Sequence, residues 1–245
     1  MNNSVIYRPE LIIFDLDNTI YEYLPCRKAA EKRFFDYAYS EIGIKPRISK
    51  HLYTAARINV KNRIQGASSH ERYLYFIEYL RLAGKKSNPL FIEEAFSLYW
   101  TSYFENMYIL PGFEDFVTKA RLSNIATALV TNMTSEIQYR KILYLQIDHL
   151  FDYLITSQET QLEKISHQPY ELLMTNFAKD KSFKSVWFLG DSEGDFPTNF
   201  PTEKYYHFIS PFSDLKKIDK GVKFQSYQKL TKILNESIVI ERVIK

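Results

Sequence analysis

The chain has 245 residues, of which 45% are apolar and 25% charged, and a net charge of +3. That is enough chain for one large domain or a core domain with an insert, and too little charge to argue for a nucleic-acid partner. A single cysteine, Cys26, cannot staple its own chain, and no stretch reaches the ~20 apolar residues of a spanning helix, so disulfide frameworks and membrane partners are not expected. The opening residues lack a basic segment followed by a long apolar run, and the expectation is a cytoplasmic protein.

Leu11, Ile12, Ile13 and Phe14 form a short apolar run that ends at Asp15, as suits a strand buried on both faces. Four helical stretches follow, at 25–41, 48–64, 69–84 and 91–106, separated by Gly- and Pro-containing breaks. After Pro111 and Gly112 the pattern alternates. Helices are predicted at 113–122, 136–144, 169–177 and 225–234, with strands at 125–130, 153–156, 185–189 and 206–209. The tail at 238–244 is apolar enough to pack but has no predicted place. Alternating strands and helices imply an α/β fold, a parallel sheet with helices on both faces. The all-helical block is expected to be an inserted cap. The core domain is then 1–21 with 107–245, and the cap 22–106.

Ligands of open α/β sheets bind beyond the carboxyl ends of the strands. Those ends carry Asp15, Asp17 and Thr19, then Thr131 and Asn132, then Glu163 and Lys164, then Asp191, Glu193 and Asp195. Carboxylates gathered this closely repel one another unless a cation neutralises them. Hard oxygen donors with room for water and phosphate oxygens favour Mg²⁺. Two carboxyls spaced like Asp15 and Asp17 push one pKa up, leaving that group able to carry a proton.

Four motifs stand in chain order. They are Asp15-Leu16-Asp17-Asn18-Thr19 (DxDxT), Thr131 after a strand, Lys164 followed by the aromatic Tyr170, and Gly190-Asp191-Ser192-Glu193-Gly194-Asp195 (GDxxxD). Together they resemble the haloacid dehalogenase (HAD) superfamily, in its phosphatase branch with a helical class-one cap. The resemblance implies a Rossmannoid core and a Mg²⁺-dependent phosphohydrolase working through an aspartyl-phosphate. Asp15 is then the nucleophile and Asp17 the proton donor and acceptor. Thr131, Asn132 and Lys164 hold the phosphoryl group. Asp15, Asp191 and the carbonyl of Asp17 bind the metal, Asp195 supports it, and Glu193 is a further candidate. A carboxylate at the position of Asp17 points to phosphoesters rather than carbon–halogen bonds.

The implied partner is a small phosphorylated metabolite. Asp17 to Tyr21, read DNTIY, is similar to the variant in pyrimidine-nucleotidase-like relatives, while sugar phosphatases share the fold and cap. A sugar phosphomutase and a non-catalytic binding or regulatory protein are the alternatives. Two departures stand out. Lys164 is followed by Ile165 rather than Pro, and after Asp195 the chain runs Phe196-Pro197-Thr198-Asn199-Phe200-Pro201, whose prolines disfavour an ordinary helix.

The predicted cap holds 14 Lys and Arg against 9 Asp and Glu. Arg27, Lys28, Arg33, Arg57, Lys61, Arg63 and Arg72, with Tyr23, Tyr53 and Tyr73, are its candidate anion and ring contacts. The five histidines show no metal-ligand spacing, so surface or loop roles are expected for them, with His167 near Lys164. Cys26 is expected to pack rather than react.

Overall fold

The computed structural model describes residues 6–177, 183–215 and 221–238. Its sheet has six strands: β1 (Leu11–Phe14), β2 (Ala126–Thr131), β3 (Tyr153–Thr156), β4 (Ser185–Gly190), β5 (Lys204–Ile209) and β6 (Gly221–Lys223). All pair in parallel, in the order β3-β2-β1-β4-β5-β6. Strand order reverses between β1 and β4, so a crevice opens at the carboxyl ends of those two strands. β1 is buried along its whole length because it lies between two neighbours and has cores on both faces. Ile12, Phe14, Leu129, Trp187 and Leu189 point into one core, and Leu11, Ile13, Val130, Val186 and Phe188 into the other.

Between β1 and β2 the chain forms α1 (Tyr23–Ile42), α2 (Pro46–Arg63), α3 (Arg72–Leu82) and α4 (Pro89–Phe104). Their ends follow local chemistry. Gly43 closes α1 in the left-handed conformation at φ 73°, Pro46 opens α2, and Asn88 accepts from the Phe91 N–H at the start of α4. The helices are cemented by aromatic rings. Phe34 meets Tyr53, Phe76, Tyr79 and Phe91 at centroid distances of 5.3, 4.6, 4.9 and 6.4 Å. Part of the high Tyr and Phe content is this helical core. Its apolar cluster is continuous through Phe14, Leu16, Ile20 and Tyr21 with one face of the sheet.

The remaining helices are α5 (Phe113–Leu122), α6 (Ser135–Tyr144), the single turn α7 (Ser157–Thr160), α8 (Gln168–Phe177) and α9 (Tyr227–Glu236). The architecture is the expected Rossmannoid sheet with helices on both faces and an inserted helical cap. β6 was not expected. It is a three-residue edge strand with Val222 half exposed, too short to show a period. The predicted apolar tail lies outside the described residues beyond Ile238, which bridges to Tyr7. Among the described residues no helix is long and apolar enough to cross a membrane.

The chain after Asp195 is no ordinary helix. A single 3-10 turn (Glu193–Asp195) gives way to a loop in which Phe196 and Phe200 are buried. Phe196 packs on His207 at 5.0 Å and Phe200 on Phe188 at 5.1 Å. Two aromatic plugs thus cover this part of the sheet where the prolines bar a helix.

Candidate active site

Every strand end in the crevice delivers a polar side chain. Asp15 follows β1, Thr131 ends β2, Asp191 follows β4, and Lys164 arrives from a 3-10 turn (Lys164–Ser166) beyond β3. Asp15, Asp191 and Asp195 each offer a carboxylate oxygen, and these oxygens lie within 4.8 Å of one another. The Lys164 ammonium bonds Asp15 and pairs with Asp195. Thr19 Oγ1 stands 3.4 Å from Asp15 Oδ2.

Asp195 closes the loop beneath Asp191. Its Oδ2 accepts from the Asp191 N–H at 2.9 Å, the Ser192 N–H at 2.8 Å and the Ser192 hydroxyl at 2.8 Å. With its other oxygen on Lys164, Asp195 shapes the site from behind. Gly190 makes this possible, because a Cβ there would strike the Asp195 side chain. Asp191 is held by the Asn18 amide at 2.9 Å. Asn18 sits in the left-handed region at φ 60°, and its Oδ1 accepts from the N–H of Tyr23 at the start of α1. Glu193 is exposed and stands outside the cluster.

The electrostatics divide the two motif-one aspartates. Burial drives the Asp15 carboxyl up, Lys164 pulls it down, and Asp195, Asp191 and Asp17 push it up again, so it ends well above the usual carboxylate range. Asp191 is pushed up to about 6, first by burial and then by Asp195. Burial also works to raise Asp17, but the charge and hydrogen bonds of Lys141, with help from Tyr21, overcome it and hold Asp17 low. The raised member of the pair is therefore Asp15, not the residue expected to carry the proton. The reason is a cation the sequence analysis did not single out.

That cation is Lys141 of α6, fully buried, with Nζ 2.8 Å and 3.1 Å from the two oxygens of Asp17. Tyr21 Oη also donates to Asp17, and Tyr21 and Tyr103 share a 2.6 Å hydrogen bond. The Asp17 side chain is thus paired with Lys141 and is not one of the three clustered carboxylates. One helical turn earlier on α6, Gln138 donates to Thr131 Oγ1 at 2.6 Å and to the Asn132 carbonyl at 2.6 Å. The Thr131 hydroxyl itself faces the Asn132 carbonyl at 3.4 Å, a long contact. Asn132 Oδ1 accepts from the Lys164 N–H at 2.9 Å and so fixes the loop that lacks the usual proline.

Asp15, Asp17, Asn18, Thr131, Asn132, Lys164 and Asp191 line one cleft of about 290 Å³. The cap contributes Tyr23, Arg57, Lys61, His70, Arg72 and Tyr75 to it. His70 Nε2 lies 2.7 Å from Glu163 Oε1, which ties cap to core beside Lys164. Of the other candidate cap cations, Lys28, Arg33 and Arg63 are exposed, and Arg27 pairs with Glu31 at 3.2 Å. Tyr53 is buried in the cap core, and Tyr73 stacks on Phe96 at 4.2 Å. His167 lines a separate groove beside α8. Cys26 is buried, and its thiol is pushed up to about 12, chiefly by burial, so it stays protonated.

A parallel sheet whose switch point gathers three carboxylates and a lysine under a helical cap is an arrangement suited to metal-assisted hydrolysis. The comparison with known proteins gives the family. The chain belongs to the haloacid dehalogenase-like hydrolases, whose family model matches residues 9–198. It is 34% identical over 156 residues to a ribulose-1,5-bisphosphate 5-phosphatase of Halopiger xanaduensis, a match spanning 62% of this chain and 65% of that protein. Its fold is similar to that of a HAD phosphatase from Thermococcus onnurineus, at TM-score 0.66 and 14% identity, covering 94% of this chain and 99% of the other. It is also similar to a 2-haloacid dehalogenase from Pseudomonas syringae, at TM-score 0.63 and 14% identity, covering 92% and 97%. One scaffold thus serves different reactions, and the reaction must be argued from the side chains.

Proposed function

We propose that this protein hydrolyses a small phosphate monoester, with Asp15 as nucleophile and Mg²⁺ as cofactor. The observation that carries the reading is the second carboxylate. Asp17 shares the cleft with Asp15 and Thr131 yet stands outside the three-carboxylate cluster, paired with Lys141, which suits a group that transfers protons rather than one that binds the metal. A sugar phosphate is the favoured substrate, since the relative from Halopiger is a sugar-bisphosphate phosphatase.

The donor set suits a hard divalent ion: Asp15 and Asp191 present carboxylate oxygens together, and burial with mutual repulsion raises both. The carbonyl of Asp17 would complete the protein's share, with Asp195 behind. Bound there, Mg²⁺ would offset charge on the phosphoryl oxygens and favour the ionised form of Asp15. Asp15 then attacks phosphorus, and the bond to the leaving oxygen breaks as the carboxylate–phosphorus bond forms. Thr131 and Asn132 hold the phosphoryl oxygens, and Lys164 balances their charge.

Asp17 gives its proton to the leaving oxygen, then takes one from the water that attacks the aspartyl-phosphate and releases Asp15. Lys141 holds Asp17 toward its ionised form. The negative charge of an arriving phosphate raises it and lets it take up that proton. The helical cap (proposed limits 22–106) shields the site from bulk water.

The test is release of phosphate from p-nitrophenyl phosphate, with Mg²⁺, with EDTA, and by Asp15→Asn. Turnover that needs the metal and vanishes in the variant is expected. Equal rates for wild type and Asp15→Asn would reject the assignment.

A further inference from the structure

The cap side of the cleft carries more positive charge than the chain neutralises. Arg57 and Lys61 of α2 and Arg72, the first residue of α3, line the cleft together with Asp15, Thr131 and Lys164. Arg57 approaches Glu31 at 3.5 Å, but Glu31 is already engaged by Arg27 at 3.2 Å. Among the described residues no carboxylate lies within ion-pair distance of Lys61 or Arg72. Of the other acids here, Glu163 is bonded to His70, and Glu71, next to Arg72 in the chain, makes no ion pair with it.

Arg72 is the unusual member. Only 4% of it is exposed, and its guanidinium sits 5.2 Å from the Tyr75 ring and 5.4 Å from those of Tyr99 and Trp100. One nitrogen donates to the His70 carbonyl at 2.5 Å, while Nε is buried with no hydrogen-bond partner. A buried guanidinium is always charged and costly unless an anion meets it, and ring faces offset only part of that cost. Lys61 feels the same field. Burial and the cations Arg57 and Arg72 push its ammonium below its ordinary value, against the pull of Glu163. Lys61 is exposed, as are Lys28, Arg33 and Arg63, but unlike those three it lines the cleft.

We infer that Arg57, Lys61 and Arg72 form a second anion subsite, which holds a phosphate of the same molecule whose other phosphate is cleaved at Asp15. The substrate class is a small bisphosphorylated metabolite, and the inference rests on the phosphatase reading above. More than one positive charge is left unmatched, which fits a phosphate dianion better than a carboxylate. Guanidinium groups meet phosphate oxygens with paired donors. The two poles share one cleft of about 290 Å³, so a single small molecule can reach both.

The test uses matched sugar phosphates: fructose 6-phosphate with fructose 1,6-bisphosphate, and ribulose 5-phosphate with ribulose 1,5-bisphosphate. Turnover is measured on the full chain with Mg²⁺, and binding by calorimetry on Asp15→Asn. In at least one pair the bisphosphate is expected to be favoured at least about tenfold in both kcat/KM and Kd. That ratio falls toward one in Lys61→Met and in Arg57→Met, which avoid the buried Arg72 and its risk to folding. No preference in either pair, or a preference that survives both variants, overturns the subsite. Release of phosphate from p-nitrophenyl phosphate without any bisphosphate preference would remove the subsite and leave the phosphatase reading standing. A bisphosphate preference in binding, with no phosphate released from any ester, would do the reverse.

Discussion

Lys141 Nζ lies 2.8 Å from Asp17 Oδ1, and the lysine is wholly buried while Asp17 keeps 24% of its side chain exposed. The pair joins α6 of the core to the loop that starts the cap, with Tyr103 of α4 bonded to Tyr21 alongside. Removing the cation leaves Asp17 half-buried and unbalanced. Lys141→Met is expected to destabilise the protein by roughly 3 kcal/mol. In the proposed mechanism it also lowers kcat by about 10²-fold or more, because a misplaced acid–base group fails in the transition state. Urea unfolding and steady-state kinetics check both parts. A variant with normal kcat would remove Lys141 from the account of Asp17.

Asp191 gives a pH prediction for the metal-free protein. Its folded value is pushed up to about 6, above the usual 3.8. The folded state therefore holds this proton more tightly than the unfolded chain. The resulting stability is complete below about 3.8 and is lost as pH rises through about 6. Asp191→Asn removes the burden, so without metal at pH 7 it should be more stable than wild type by about 3 kcal/mol. Thermal melts from pH 4 to 7 in EDTA, together with Mg²⁺ titration, decide it. Mg²⁺ should raise the wild-type Tm and not that of the variant.

Gly190→Ala places a Cβ against the Asp195 side chain, the group that gathers the amides of Asp191 and Ser192. The obstacle sits next to backbone and cannot swing away. A loss of about 1–3 kcal/mol is expected, with Mg²⁺ affinity weakened as Asp191 shifts. Calorimetric Mg²⁺ titration of Gly190→Ala reads the second effect directly.

Much of this was legible in the sequence because the signals were local. An apolar run ending in acid marked β1, and punctuation by Gly and Pro marked the cap helices to within a few residues. The strand-end residues Asp15, Thr131, Lys164 and Asp191 converge as their spacing implied. Lys141 and Gln138 escaped notice because polar residues on a helix are ordinarily assigned to its wet face. A signal was present: both fall three apart on the stripe of α6 that Ile137 and Ile142 otherwise make apolar. Two long polar side chains on a buried stripe mark a site behind it. His70 could not be found this way, since its partner Glu163 is 93 residues distant.

The segment after Asp195 shows how a missing helix is replaced. Phe196 and Phe200 fill the sheet face instead. Phe200→Ala should cost about 3–5 kcal/mol in unfolding free energy. The kcat per folded molecule should hardly change, because Phe200 touches the Phe188 ring rather than the cleft. A large fall in kcat with normal stability would mean that this loop takes part in the chemistry.

The most direct test of the central claim is to trap the phospho-enzyme. Wild type turning over p-nitrophenyl phosphate with Mg²⁺ is quenched in acid, and its peptides are weighed. The account predicts one phosphoryl group on the peptide that carries Asp15, absent without substrate and absent in Asp15→Asn. Sustained turnover with that peptide never phosphorylated, and with Asp15→Asn still active, would contradict it.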